Sequence, residues 1–386
     1  MSAVRPIRVP QSELAREEAS EVDLWLLAPT LALVGLGVAM VYSASIPMAA
    51  AEGGSIFSYL VREVVLVAMG LAGMLVAMRI KLEWLARQAW SLLLLTVALL
   101  VGVFFMPSRN GSHSWYAIPH TSFSFQPSEL AKLVLVIVAA RYFSHFPQGL
   151  PGWRQALRPF LVMFGIVGLI AIEPDMGTAA VTAMAMMVLF HIAGTRMRHL
   201  LAAGGVAGLV AAALVLRHPY QLRRIVDFFL GQEVELAGGY QRARSLIALG
   251  SGGLTGAGYC GSVEKFFYLP AATTDSILAV VGEELGMIAT WGVLAMFALL
   301  VWRGMRVAGR APDRFSGLVA AGITSVIAVQ ALLNIAVVTG TIPATGVTLP
   351  FVSYGGSSLL FSMIGLGLLL NVSRRAQEAR PAAEAR

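Results

Sequence analysis

The chain has 386 residues, 57% of them hydrophobic and only 13% charged, more apolar surface than a soluble core of ordinary size can bury. Its formal charge of +7 comes from Lys and Arg that punctuate apolar blocks, without the aromatic interleaving of a nucleic-acid groove, so nucleic acid is excluded as a partner. Cys260 is the single cysteine, which rules out an intrachain disulfide, a CxxC redox pair and a cysteine metal cluster.

Residues 1–23 are polar and mixed in charge. They lack the short apolar core and small-residue cleavage site of a signal peptide and read as a cytoplasmic tail. Beyond them come apolar blocks long enough to cross a hydrocarbon layer about 30 Å thick. They predict ten transmembrane helices, near Trp25–Ala49, Leu60–Met78, Trp90–Met106, Pro127–Phe143, Phe160–Ile172, Thr178–Ala193, Leu200–Leu216, Ile277–Trp302, Phe315–Val338 and Phe351–Val372. The fold class is an all-α integral membrane protein, with one membrane domain over residues 24–375 and a second cytoplasmic tail at 376–386. An inside N-terminus leaves 19 of the 28 Lys and Arg in cytoplasmic segments and puts only Arg62 and Arg109 in the short outer connections. Both termini are therefore expected in the cytoplasm.

One connection exceeds what a bundle needs, the 57 residues 218–274 between the seventh and eighth helices, which this topology places outside. Loops of that length are usually functional. From Tyr220 to Leu230, helical spacing puts Leu222, Ile225 and Phe229 on one face beside Arg223 and Arg224, the pattern of a helix lying in the headgroup layer. A glycine-rich stretch, Gly250 to Gly261, leads to Lys265 and the Phe266–Pro270 run.

Ionisable groups inside hydrocarbon are costly unless paired or hydrated, which singles out three regions. In Gln126-Pro127-Ser128-Glu129, followed by Lys132, proline suits the first helical position and Glu129 the positive end of the helix dipole. Glu129 and Lys132 either pair on one face or present Lys132 to an anionic lipid headgroup. Asp275, after Thr273-Thr274, is either a helix cap or a general base or cation ligand at the membrane mouth. Glu283 and Glu284 lie about 12 Å deeper, where a buried hydrogen-bonding network is their simpler role. The small, polar stretch Leu349 to Ser358, with Ser353 at its centre, either packs closely against other helices or offers backbone donors to phosphate. No HExxH, P-loop, GxSxG or dinucleotide motif is present, and the six histidines are scattered rather than spaced as ligands.

The FQPSELAK run, the GGYQRARSLIALGSGG segment, the YLPxxxTD approach to Asp275, the GEELG run and LPFVSYGGSS resemble, in order and spacing, the SEDS (shape, elongation, division, sporulation) family. The likeness covers residues 23–375. Wording around Gly239–Gln241, Ser245–Ala248, Ser262–Lys265 and Asn334–Pro343 is closer to the FtsW and sporulation branches than to RodA. The resemblance implies a peptidoglycan glycosyltransferase of the bacterial inner membrane, placed at the division septum, that joins lipid II units and releases undecaprenyl pyrophosphate. It implies a divalent cation, Mg²⁺ or Mn²⁺, and as partners a class B penicillin-binding protein and other divisome membrane proteins. Asp275 matches the family's essential aspartate, as catalytic base and a candidate metal ligand. Trp115, Glu129 and Lys132 match positions lining its cavity. Gln241, Arg242, Arg244, Lys265 and Ser353 complete the set expected to bind substrate, the basic members stabilising the leaving group. The chain departs from the family pattern where Ala271 and Thr273 stand for a glutamate and a histidine, and where Ser114 stands for an arginine. A lipid II flippase, a RodA-type elongation polymerase and a scaffold of weak activity are the competing readings.

Overall fold

The computed structural model describes residues 22–53, 55–106, 114–117, 124–146, 152–217 and 237–384, with Leu222, Val226 and Phe228 between the last two blocks. Eleven helices lie among the described residues: α1 Leu24–Ala51, α2 Phe57–Ala77, α3 Leu82–Gly102, α4 Pro127–Ser144, α5 Trp153–Ile172, α6 Met176–Ile192, α7 Met197–Arg217, α8 Ala237–Ser251, α9 Ile277–Arg310, α10 Arg314–Val338 and α11 Gly356–Glu384. A minimal antiparallel hairpin precedes α4, with Tyr116 of β1 (Tyr116–Ala117) opposite Phe125 of β2 (Ser124–Phe125). Eight of the helices, all but α4, α6 and α8, are long and apolar enough to cross a membrane. At 17 residues α6 is shorter, and α4 carries Glu129, Lys132 and Arg141 within its 18.

The bundle is built around α10 and α11, its two most buried long helices. On one side α11 lies along α2, and on the other α10 meets α4, α6 and α9. Small residues set these approaches: Gly322 of α10 faces the Val136 side chain of α4, and Gly70 and Gly73 of α2 face Met363 and Ile364 of α11. Outward faces are apolar, as with Leu94 and Leu95 of α3 and Leu201, Leu209 and Leu216 of α7, the surface that lipid requires.

Where boundaries differ from the hydropathy reading, the cause is the same at each end. Hydropathy marks where hydrocarbon stops, whereas backbone hydrogen bonding continues through the headgroup layer. Thus α3 starts at Leu82 and carries Glu83 and Arg87, α5 starts at Trp153 and carries Arg154 and Arg158, and α9 continues through Arg303 and Arg306 to Arg310. The last helix is the reverse case, since residues 350–355 are turn and α11 begins only at Gly356. It runs on to Glu384, through most of the stretch expected as a tail. Asp23 belongs to the bundle, because its carboxylate accepts from Arg303 Nε at 3.0 Å and from the Ser373 hydroxyl at 2.6 Å. The headgroup-layer helix expected over Tyr220 to Leu230 lies almost wholly outside the described residues.

The long connection is tied into the bundle by its backbone. After α8, residues 252–261 turn back against the middle of α9, where Gly286 takes φ 78° and breaks the helix. The carbonyls of Glu283 and Glu284 accept from the Ala257 and Gly258 amides at 2.9 and 3.0 Å, and the Met287 and Ile288 amides donate to Gly253 and Leu254 carbonyls at 2.9 and 3.3 Å. The loop thereby supplies partners that a continuous helix would supply to itself. Glycine is required here: a Cβ on Gly256 would run into the Glu284 carbonyl, and one on Gly286 into the Gly256 amide.

Candidate active site

The polar floor of the site starts at α4. Gln126 is extended and Pro127 opens the helix, so its first two turns present Glu129 and Lys132 inward. Lys132 Nζ donates to Glu129 at 2.9 Å and to Gln330 Oε1 of α10 at 2.6 Å. Gln330 in turn donates to the Thr348 carbonyl and the Ser358 hydroxyl, both at 3.1 Å. The expected ion pair is formed, and Lys132, though paired, still lines a cavity. Beside it Asp175 caps α6 by accepting from the Thr178 amide at 3.0 Å, and its other oxygen accepts from Gln126 Nε2 at 2.7 Å.

Asp275 sits where the loop from α8 meets the start of α9. Thr274 Oγ1 donates to its Oδ1 at 2.8 Å and Gln241 Nε2 to its Oδ2 at 3.1 Å, the same amide also reaching Ser276 Oγ at 3.0 Å. Its carbonyl accepts from Asn334 Nδ2 at 2.8 Å. The turn is held by Ala271, whose carbonyl accepts the Thr274 and Ser276 amides at 3.0 and 3.2 Å. The segment before α11 closes over it: Ser353 donates to the Thr274 carbonyl at 2.6 Å and accepts from the Leu349 amide at 2.8 Å.

A cavity of about 1180 Å³ joins these parts. Trp115, Glu129, Lys132, Asp175, Gln330 and Thr274 supply its polar wall, and α5, α6 and α7 supply an apolar one that includes Phe164, Val167, Met184, Val210 and Leu214. Asp275 lies one residue behind Thr274. Arg242 packs against Gly340 and over the Phe228 ring, beside the 342–348 segment that lines the cavity.

Three expected contacts are engaged elsewhere. Lys265 is buried in an ion pair with Glu284 Oε1 at 2.8 Å, and its ammonium also donates to Ser43 Oγ at 2.9 Å and the Cys260 carbonyl at 2.8 Å. All three of its N–H groups are thus used away from the cavity. Arg244 pairs with Glu264 at 3.3 Å between the Tyr240 and Tyr268 rings. Ser353 spends its hydroxyl on the backbone. Glu283 accepts from the Ser262 hydroxyl and from the Val263 and Glu264 amides, so both deep glutamates tie the loop to α9.

The cavity also holds Gln126, which the sequence reading named only as part of the α4 entry, and Asp175 and Gln330, which it passed over. Asp175 lies in the Glu173-Pro174-Asp175 turn between α5 and α6, outside the three regions picked out by charge within apolar blocks. Gln330 and Asn334, four apart and the two amides of a mostly apolar helix, carried a signal in their spacing, since amides at such positions need partners on one face.

Burial, with Asp175 nearby, pushes the Glu173 carboxyl from its ordinary 4.5 up to about 8, and burial raises Asp175 as well. A carboxyl whose folded value is raised is more protonated when folded, so stability is greatest at low pH and falls as pH rises through that window. The thermal midpoint of the detergent-solubilised protein is accordingly expected to drop between about pH 5 and pH 8, and Glu173→Gln to flatten that slope. A slope unchanged in the variant would assign it to other groups.

No group of three or more His, Cys, Asp and Glu side chains gathers among the described residues. A divalent cation here would have Asp275 as its one carboxylate and would draw its remaining ligands from water and substrate phosphates. That donor set suits Mg²⁺, which keeps several waters and takes few protein ligands.

A family model described as FTSW_RODA_SPOVE, cell cycle protein, matches residues 24–378. Stage V sporulation protein E of Bacillus subtilis (strain 168) is 40% identical over 360 residues, covering 91% of this chain and 97% of that protein. The probable peptidoglycan glycosyltransferase FtsW of Halomonas elongata is 40% identical over 363 residues, covering 93% and 92%. Among solved structures, the rod shape determining protein RodA of Thermus thermophilus matches with a TM-score of 0.68 at 26% identity, covering 92% of this chain and 97% of that one. A chain from a structure described as "Structural coordination of polymerization and crosslinking by a peptidoglycan synthase complex" matches with a TM-score of 0.74 at 26% identity, covering 92% and 98%. With its apolar helices, its motifs in family order and a match over nearly its whole length, the chain is a multi-pass membrane protein belonging to the FtsW/RodA/SpoVE family of cell cycle proteins.

Proposed function

We propose that this chain is a peptidoglycan glycosyltransferase of the FtsW type that polymerises lipid II into glycan strands in the bacterial inner membrane at the division septum. The observation that carries this reading is the cavity itself, which pairs a polar wall with an apolar wall along three helices and exceeds the roughly 300–1,000 Å³ of a drug-sized pocket. That shape suits an amphiphile with a sugar–pyrophosphate head and a polyprenyl tail. Ten crossings, counting α4 and α6, would place both termini in the cytoplasm and Asp275 toward the outer surface.

In the reaction proposed, the acceptor sugar hydroxyl gives its proton to Asp275 as its oxygen bonds to the anomeric carbon of the donor. The bond from that carbon to pyrophosphate breaks, and the electron pair leaves on the phosphate oxygen. Because the Thr274 hydroxyl stands between Asp275 and the cavity, the substrate hydroxyl takes its place on Oδ1 while Gln241 keeps Oδ2 fixed. Lys132, held by Glu129 and Gln330, is a cation already oriented toward the cavity, and Arg242 lies near its rim. Both would meet the developing charge without reorganising. Mg²⁺ or Mn²⁺ on Asp275 would add charge neutralisation at the leaving pyrophosphate. The structural likeness to a chain of a peptidoglycan synthase complex supports a class B penicillin-binding protein as partner.

The test is glycan-strand formation from purified lipid II by the detergent-solubilised chain with such a partner and Mg²⁺ or Mn²⁺. Polymer is the expected result. A folded, partner-bound protein that makes none, yet moves lipid II between vesicle leaflets, would replace the polymerase by a transporter.

A further inference from the structure

At the end of the bundle where α4 finishes and α5 begins, two spaces adjoin and share Tyr142 and Arg158. The upper one, about 490 Å³, is lined by Tyr142, His145, Phe146, Arg154, Gln155 and Arg158. The lower is a slot of about 150 Å³ whose walls include Trp90, Leu135, Val162, Met163, Met186 and Phe190. Neither space shares a lining residue with the large cavity. We propose that this pair of spaces binds an anionic phospholipid of the surrounding membrane, with its phosphate at Arg154 and Arg158 and one acyl chain in the slot.

Four observations support that occupant. Arg154 and Arg158 are one turn apart on α5, and Val162 continues the same row into the slot, so a charged stripe runs directly into an apolar one. Both guanidinium groups are exposed, and neither makes an ion pair or hydrogen bond with another described residue. Residues 144–160 contain no Asp or Glu to neutralise them. The α5 N-cap, Gly152, provides no side-chain acceptor, so the positive end of that helix dipole adds to the same charge.

The site is also preformed. The Tyr142 hydroxyl donates to the Gln155 carbonyl at 2.8 Å, which ties the end of α4 to the first turn of α5. Trp90 stands half-exposed at the slot, the placement of an interfacial aromatic anchor. Basic pockets between helices above apolar grooves are suited to lipid phosphate. The narrow slot favours a single unbranched acyl chain over a branched polyprenyl chain, for which the large cavity has room.

Native mass spectrometry of the delipidated full chain in detergent tests this without reference to catalysis. Phosphatidylglycerol is expected to be retained over phosphatidylethanolamine of the same chain length. Arg154→Gln/Arg158→Gln is expected to weaken its retention about 30-fold, on the order of fivefold for each cation near the surface. Lys81→Gln/Arg87→Gln, which removes equal charge from another segment, should leave retention nearly unchanged. Met163→Trp keeps both arginines but fills the slot, so it should weaken phosphatidylglycerol while sparing glycerol phosphate. Equal losses in both double variants, equal retention of the two phospholipids, or displacement of phosphatidylglycerol by less polyprenyl phosphate than phosphatidylglycerol would each overturn the proposal.

Discussion

Asp275→Asn is expected to lower glycan-strand formation by at least about 100-fold, the lower bound of what a positioned general base contributes. The substitution keeps the shape of the side chain and removes its basicity. It also mismatches one hydrogen bond, because the carboxylate accepts at both oxygens, from Thr274 and from Gln241, whereas an asparagine offers one acceptor and one donor. The Thr274 hydroxyl can turn to accept instead, so the stability cost is about 1 kcal/mol, and the variant should elute and unfold much like the parent. Activity within about threefold of the parent would remove Asp275 from the role of base. A partial loss that shows only in KM would make it a binding group instead.

The second large effect is on folding. Lys265→Met is expected to destabilise the protein by about 3–5 kcal/mol, because it leaves the Glu284 carboxylate in the interior without its cation. Glu284 would retain the Ser43 hydroxyl at 2.6 Å and the Cys260 amide at 3.0 Å, which solvate a carboxylate only in part. Lys265→Met/Glu284→Gln should recover most of the loss, since the pair is then replaced by a neutral amide with the same donors at hand. Equilibrium unfolding in detergent measures both. If Lys265 instead contacted substrate, the single variant would lose activity at unchanged stability and the second substitution would restore nothing.

The contrast between these residues shows how far residue order alone could go. Apolar block lengths located a helix at each of the ten predicted positions, with ends that differ by up to twelve residues, as at Val372 against Glu384, because apolarity is a property of composition averaged over a turn or more. Lys132 and Glu129 were visible for the same reason, being charges at helical spacing where charge is costly. The placement of Lys265 was not visible. It depends on the loop folding back so that Lys265 meets Glu284 of α9, nineteen residues further along the chain, a pairing that no local period encodes. Glycines marked the stretch as irregular, but the partner of that irregularity is a single glycine in the middle of an apolar helix, Gly286. Gln330 could have been found from its i, i+4 relation to Asn334, whereas Asp175 needed the three-dimensional fact that the α6 cap faces Gln126.

The interruption in α9 also fixes how motion can pass through the bundle. The lower half, from Met287 to Arg310, has its first amides bound to Gly253 and Leu254, while the upper half leads up to Asp275 and is bound through the carbonyls of Glu283 and Glu284 to Ala257 and Gly258. The two parts are therefore joined by the backbone at Gly286 and bridged alongside it by residues 253–258, like two shafts sleeved at a joint rather than one rod. The far end of the lower half is anchored by Arg303 to Asp23, which also holds Ser373 of α11. A load applied where Asp23 meets α9 and α11 thus has a bonded route to the carboxylate at the other end of α9, and that route passes a joint where glycine stands at four positions, 253, 256, 258 and 286.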